Sequence, residues 1–373
     1  MPNRMRSGKI GSKKMTEVAR RAGVSLSTVS RALAGHTRIS EATRRRVREI
    51  ADSLGYHPDA SASNLRTGVT RTIAVVIPLT HATRQRLSDP FFLELLGALA
   101  DELATRGYNL LLSKITRSPA EWITGLLKTK RADGVIVIGQ SVHHEDLNEV
   151  AATDPRVVVW GARMKGQRYV TVGSDNENGA YRATEHLIEQ GCRRILFLGD
   201  PAVPEVRARL EGYLRALASA GISRTPSLEV PVRFGSDAAY DGVSSLLDAH
   251  AQFDGVFACS DVIAVSAMRA LIERGRRVPA DVAVVGFDDI PFAAYTTPPL
   301  TTVRQDCVAG ARLLVDRLLQ LMAGEHAASE TISIELVVRA SSLRQHHRHA
   351  DVTSRGRPAR AGATVRSGSR VVK

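Results

Sequence analysis

Apolar positions recur along this chain at two different periods, and the change between them divides it. Between Thr16 and Leu54 the spacing is helical. Val18, Ala19 and Ala22 share one face, Val29, Ala32 and Leu33 a second, and Val47, Ile50, Ala51 and Leu54 a third. Gly23 separates the first two faces as a turn, and Ser25 is placed to cap the helix that follows. A third helix is predicted over 40–54, capped by Ser40 and ended by Gly55. One small core should contain Val18, Val24, Val29, Leu33, Val47 and Ile50. Leu26, Ser27, Thr28, Ser30 and Arg31 are left pointing outward from the second helix. Two short helices on a tight turn outline a helix-turn-helix, although a plain helical hairpin with a solvated face has the same pattern.

From residue 72 the pattern changes. Apolar runs at 72–77, 109–113, 134–138 and 157–160 predict strands, separated by helical stretches at 91–106, 119–129 and about 144–151. The series resumes with strands at 194–198, 228–232, 255–259 and 282–287, and helices near 177–190, 205–220, 237–249 and 261–274. Strands alternating with helices imply parallel sheets wrapped on both faces. Two consecutive sets imply two similar lobes, with a ligand cleft at the carboxyl ends of the strands. Between headpiece and body, Pro58 can open a short helix and Gly68 close it around Ala60, Ala62 and Leu65. That stretch is expected either as a plain linker or as a hinge that becomes helical only when docked, since so short a helix is marginal alone.

Charge sharpens the division. The chain of 373 residues has a formal charge of +13, with room for two or three domains. Residues 1–70 hold 14 Lys and Arg against 5 Asp and Glu, and residues 344–373 hold 8 against 1, which leaves −3 for the body. Basic ends on a mildly acidic body attract a polyanion at those ends, and nucleic acid is the economical partner. Arg44, Arg45, Arg46 and Arg48 ring the third helix as phosphate contacts or simply as a solvated face. Residues 1–14 read as a flexible basic arm, and 344–373, rich in Arg, His, Gly and Ser, as a disordered tail.

Other classes find little support. No apolar run approaches the roughly 20 residues that cross a bilayer, and residues 1–14 lack the apolar segment of a signal peptide. A cytoplasmic, nucleoid-associated protein is expected, and a periplasmic sugar-binding protein would have no use for residues 16–68. GxGxxG after the first strand, GxxxxGK[ST] and GxSxG are all missing, which argues against an enzyme. Cys192, Cys259 and Cys307 are far apart and read as buried reduced thiols. His143 and His144 lack partners at ligand spacing and read as a solvated loop. No catalytic residue, metal or cofactor is expected.

VARRAGVSLSTVSRAL at 18–33, followed by Tyr56, Pro58 and Leu65, resembles the lac/gal repressor family of bacterial transcription regulators. Further matches are DPFF at 89–92, DNENGAYRATEHLIEQGCRRILFLG at 175–199, RLEGY at 209–213, SDVIAVSAMRAL at 260–271 and VAVVGFDDI at 282–290. PPLTTVRQD at 298–306 and ELVVRASS at 335–342 complete the set, which covers residues 15 to about 343. The resemblance implies a helix-turn-helix headpiece on a two-lobed α/β body like that of periplasmic binding proteins. Its domains would be an arm at 1–14, a DNA-binding domain at 15–57, a hinge and linker at 58–70, and an effector and dimerisation domain at 71–343. The first lobe would take about 71–172 and 302–328, and the second about 173–301 and 329–343. In function the resemblance implies a homodimeric repressor on a palindromic operator, answering allosterically to a small molecule, most simply a sugar. The alternative is a cytoplasmic sugar-binding protein, or a regulator of a non-sugar ligand such as a purine.

Site residues carry over position by position. Leu26 and Ser27 would meet base edges, with Arg31 as the direct reader, since a guanidinium bonds guanine O6 and N7 together. Thr28 and Ser30 would position the backbone, with Met15, Thr16 and Ser25 counted on the same DNA-facing side. Leu65 matches the leucine that the family wedges into the minor groove. Lys14 stands where the family has a Thr cap, and a lysine cannot accept an amide hydrogen bond. For the effector, the resemblance implies Asp89, Phe91, Phe92, Trp160, Arg209, Asp261 and Asp288. Carboxylates, an arginine and an aromatic face suit a sugar, while Phe91 and Phe92 would also serve as helix-start core and Trp160 as buried packing.

Overall fold

The computed structural model describes residues 14–34, 36–56, 69–78, 87–115, 118–140, 143–232 and 236–344. The hinge expected around Leu65, most of the basic arm and most of the basic tail lie outside them.

The headpiece is three helices, α1 at 14–22, α2 at Leu26–Leu33 and α3 at Glu41–Ser53. Gly23, at φ +63°, makes the turn between α1 and α2, a conformation that costs glycine little. Ser25 Oγ accepts from Thr28 N at 3.1 Å and Ser40 Oγ from Thr43 N at 3.3 Å, so both expected caps form. Lys14 is itself helical, and its Nζ donates to the Gly55 carbonyl at 3.4 Å instead of capping. Val18, Val29, Ala32 and Val47 are fully buried, while Val24, Leu33 and Ile50 are only half-covered at the edge of the cluster. Each buried aliphatic contributes roughly 1.5–3 kcal/mol, and Arg46 adds a tie from α3 to the Ala22 carbonyl at 2.6 Å.

The body begins with β1 (Thr72–Pro78), α4 (Pro90–Thr105), β2 (Asn109–Ile115), α5 (Pro119–Lys128), β3 (Gly134–Ile138), α6 (His144–Thr153), β4 (Val157–Trp160) and β5 (Val170–Ser174). It continues with α7 (Asn176–Glu189), β6 (Ile195–Leu198), α8 (Pro204–Ser219), β7 (Glu229–Val230), α9 (Ser236–Asp248), β8 (Gly255–Ala258), α10 (Asp261–Glu273) and β9 (Ala283–Asp288). The chain then forms β10 (Thr301–Arg304), α11 (Cys307–Met322), β11 (Glu330–Ile332) and β12 (Glu335–Val337). One sheet has the order β11-β5-β4-β3-β1-β2 and the other β12-β10-β9-β8-β6-β7. Both are parallel except for β12, which runs antiparallel to β10. The central strands are apolar along their whole length because helices cover both faces.

The sequence-based division of the lobes shifts where the chain crosses between the sheets. Thr302–Arg304 pair with β9 in the second sheet, not the first, and Glu330–Ile332 pair with β5 in the first, not the second. Pairing partners, which lie far away in sequence, decide this. His144 is also not a loop residue: it opens α6, and its Nδ1 lies 2.7 Å from the Tyr169 hydroxyl. Cys192 and Cys259 are buried and Cys307 half-buried, and burial pushes each thiol up to about 12.

Candidate functional site

Two surfaces carry the residues singled out by sequence. On α2, Val29 and Ala32 are anchored in the headpiece core, which turns Leu26, Ser27 and Arg31 outward. Leu26 is 47% exposed, and the Arg31 side chain makes no hydrogen bond or ion pair among the described residues. Thr28 and Ser30 lie half-buried beside them. The Ser25 hydroxyl is committed to the helix start, within 2.8 Å of Ser27 Oγ and 2.9 Å of Thr28 Oγ1. Met15 is half-buried against the headpiece core, whereas Thr16 is exposed. Several neighbouring cations are already engaged. Glu17 holds Arg20 and Arg21, Glu41 holds Arg44, and Arg46 reaches Ala22.

The second surface is a cleft between the two lobes, open to solvent on one side. Asp89, Phe91, Phe92 and Trp160 line it from the first lobe, and Arg209 and Asp288 from the second. Asp89 caps α4, its Oδ1 accepting from Phe91 N at 3.1 Å, and thereby fixes the first turn that presents the phenylalanines. Phe92 is 6% exposed and belongs to the lobe core as well as to the cleft wall. The Phe91 and Trp160 rings lie 6.0 Å apart at 44°. Gly310 on α11 packs against Trp160 so closely that a Cβ there would lie 2.3 Å from the ring. These aromatics are thus packed in the first lobe and also form one wall of the cleft.

Arg209, 5% exposed, is held by three groups. Its Nε donates to Asn176 Oδ1 at 2.8 Å, its Nη1 donates to the Cys259 carbonyl, and its guanidinium lies over the Phe287 ring. Asp288 ends β9 at φ +126°, followed by Asp289 at φ +57°, a backbone that side-chain-bearing residues rarely adopt. Asp289 is pinned by Arg304 and Arg339, each at 2.7 Å, which holds that bend. Asp288 Oδ1 accepts from Gln305 Nε2 at 2.7 Å. Burial pushes its carboxyl up to about 7, with Asp89 adding to the rise while Arg209 and the Gln305 amide oppose it.

Asp261 does not reach the cleft, contrary to the expectation from sequence. It is fully buried behind Asp288, where its Oδ1 accepts from the Thr302 hydroxyl at 2.5 Å and its Oδ2 from Ile290 N at 2.9 Å. Burial and the neighbouring Asp288 hold its carboxyl well above the usual range. Its place at the start of α10 ties that helix to the strand ends that shape the cleft. Leu65 lies outside the described residues.

Sequence reasoning missed Ser174, Asn176, Glu205 and Gln305, all of which line the cleft. Glu205 was recoverable in principle, because it stands four residues before Arg209 on one helix face. Burial raises its carboxyl, opposed by the amides of Glu205, Gln140 and Ala162 and by Arg209. Among the described residues no group of three His, Cys, Asp or Glu is arranged to hold a metal, and no helix is long and apolar enough to cross a membrane.

Both parts of the chain are similar to known proteins. Residues 14–59 match the family described as bacterial regulatory proteins, lacI family, and residues 184–342 match the periplasmic binding protein-like domain. The HTH-type transcriptional repressor CytR of Escherichia coli (strain K12) is 32% identical over 333 residues, 88% of this chain and 96% of its own. The HTH-type transcriptional regulator CelR of Thermobifida fusca is 36% identical over 313 residues, 81% of this chain and 90% of its own. Among solved structures, the lac repressor dimer bound to operator and the anti-inducer ONPF superposes with a TM-score of 0.77 at 26% identity, covering 87% of this chain and 98% of that one. A CelR–cellobiose complex gives 0.65 at 33% identity, covering 88% and 99%. With an outward-facing second helix on its headpiece and a two-lobed body behind it, the chain belongs to the lacI family of bacterial transcriptional regulators.

Proposed function

We propose that the chain is a repressor that binds a palindromic operator as a homodimer and releases it when a small polyol, in the simplest case a sugar, fills the cleft between the lobes. The observation that carries this is the cleft itself, where a fixed arginine, carboxyls and a tilted aromatic pair converge. Hydroxyl groups both donate and accept, so a cleft that offers both carboxyl and guanidinium groups suits them. The CelR–cellobiose complex supports a sugar, and the operator-bound lac repressor dimer supports DNA and pairing. Exposed apolar side chains of the body, such as Phe292 at 58% and Tyr295 at 79% within the turn Pro291–Tyr295, are available to a second copy.

On DNA, Arg31 reads a base pair, Leu26 and Ser27 flank it, and Leu65 serves as the minor-groove wedge. The effector acts by preferring one relative placement of the lobes, and a preference of about 1–3 kcal/mol is the usual scale of such coupling. The protein works by binding and not by catalysis, in the cytoplasm at the nucleoid. The Phe91–Trp160 pair would also accept a flat ring, which keeps a purine-like effector as the second reading.

The test has two parts. Selection from random duplexes should return a palindromic site retarded by the full-length chain. A thermal-shift screen of sugars and nucleosides should find a ligand that raises the Tm and abolishes that retardation. Retardation of all duplexes alike, with no palindrome enriched, would defeat the repressor reading.

A further inference from the structure

We infer that the effector carries a protonated amine, and that Glu205 of the cleft is the residue that selects it. The inference rests on the effector reading of this cleft and names the ligand class within it.

Arg209 and Asp288 face the same cleft from the second lobe, and once Asp288 is ionised their charges offset each other, which by itself suits a neutral polyol. Glu205 upsets that balance. It sits in the first turn of α8 and lines the cleft, and its Oε2 is shut off from solvent with no hydrogen-bond partner among the described residues. Ser174 lines the same cleft from the end of β5, is 6% exposed, and its hydroxyl is likewise buried without a partner. Asp89, the remaining acid of the lining, is already accounted for by the start of α4. The described lining residues thus contain three carboxyl groups and one guanidinium.

A carboxylate oxygen left dry without a partner costs far more than one that is paired, and a buried hydroxyl oxygen adds to the debt. An ammonium group donates three hydrogen bonds and accepts none, so it complements oxygen acceptors. A neutral hydroxyl brings one donor and no charge, and it would add nothing to the backbone amides and Arg209 that alone oppose the desolvation of the Glu205 carboxyl. Phe91 and Trp160 line the same cavity, and aromatic faces attract a cation further. Burial of Glu205 and Asp288 favours their protonated forms in the empty cleft, so arrival of a cation should expel protons.

The experiment uses the full-length chain and three matched series, namely D-glucosamine, D-galactosamine and D-mannosamine, their N-acetyl derivatives, and the neutral parent hexoses. Thermal shift and isothermal titration are run in two buffers of different ionisation enthalpy. We expect at least one amine to bind at least about tenfold more tightly than both its N-acetyl form and its parent, with proton release that rises from pH 8 to pH 5. Glu205→Gln should abolish the preference, bringing the affinity for the amine down to that for its N-acetyl form, and should abolish the proton release assigned to Glu205. If Glu205→Gln does not fold, the wild-type ranking of amine against N-acetyl derivative decides alone. A neutral or N-acetylated sugar that binds as well as its amine overturns the inference and leaves the effector reading standing. No binding by any member of the three series overturns the amine assignment and the sugar reading together.

Discussion

The guanidinium of Arg209 lies 3.6 Å from the centroid of the Phe287 ring, a ring on the strand that ends in Asp288. Stacking fixes the plane of the fork, and the bonds to Asn176 and the Cys259 carbonyl fix its rotation. Arg209 is thus held before any ligand arrives, which spares the ordering cost of a long side chain. Arg209→Lys should abolish the thermal shift given by whichever ligand stabilises the wild type, because an ammonium keeps the charge but loses the fork and the stack. The empty variant should lose roughly 1–3 kcal/mol of stability, since buried acceptors are left without donors. Operator retardation should be unchanged. A Lys variant that retains the shift would show that charge alone suffices.

Arg31→Ala should weaken binding to the selected palindrome by roughly 1–3 kcal/mol per altered base contact while sparing weak binding to random DNA. The side chain is exposed on α2 and has no partner among the described residues, so its removal should not destabilise the headpiece. Titration of both duplexes with variant and wild type checks this, and a uniform loss across sequences would move Arg31 to the phosphate class.

Ser25→Ala should act differently from Arg31→Ala although the two share a helix. Its hydroxyl caps α2 through Thr28 N, so truncation should cost about 1 kcal/mol of headpiece stability. Thermal melting should register it without DNA, whereas Arg31→Ala should leave that melting curve alone.

Asp288 makes a pH prediction. Its carboxyl ionises near the ordinary 3.8 when unfolded and at about 7 when folded, so between those values the folded state holds the extra proton. Stability from this group is therefore greatest at the acid end and falls as pH rises from about 3.8 to about 7. Asp288→Asn removes that dependence while its amide oxygen can still accept from Gln305. The Tm of the variant minus that of the wild type should grow steadily across the same window, and a constant difference would refute the assignment.

Gly310→Ala tests how the aromatic wall is set. The added Cβ would fall 2.3 Å from the Trp160 ring, so ring or helix must move. Overpacking of this kind costs typically about 1–3 kcal/mol, and ligand affinity should fall with it. Tryptophan fluorescence should report the displacement directly.

Much of this architecture was legible because it follows from apolar period alone. The runs expected at 134–138 and 157–160 match β3 and β4, whose residues are buried on both faces. β5 escaped notice since Thr171, Gly173 and Ser174 dilute its apolar character, and β11 and β12 are three residues each. The helix α11 was not foreseen, although Ala311, Leu314, Val315 and Leu318 carry a helical spacing. In the cleft, the acids and aromatics that resemble family motifs were found, but Glu205 and Ser174 have no motif. Only folding brings a strand end and a helix start from different lobes to one cavity. Asp261 shows the converse, since a residue can sit at a familiar position and still point inward.

The order in which the chain is made bears on the first lobe. Ile73, Val75 and Ile136 are buried in one cluster with Leu314, Val315 and Leu318 of α11. Those partners lie near the far end of the sequence, and so does β11, which completes the first sheet. A chain still on the ribosome therefore presents an apolar sheet face long before the helix that covers it has been synthesised. The second lobe, built largely from 176–304, can assemble first, and the first lobe depends on late residues or on a chaperone to shield it meanwhile. A stop codon just before residue 307 would remove no part of the headpiece, yet it would leave that face permanently bare and the truncated product prone to aggregate.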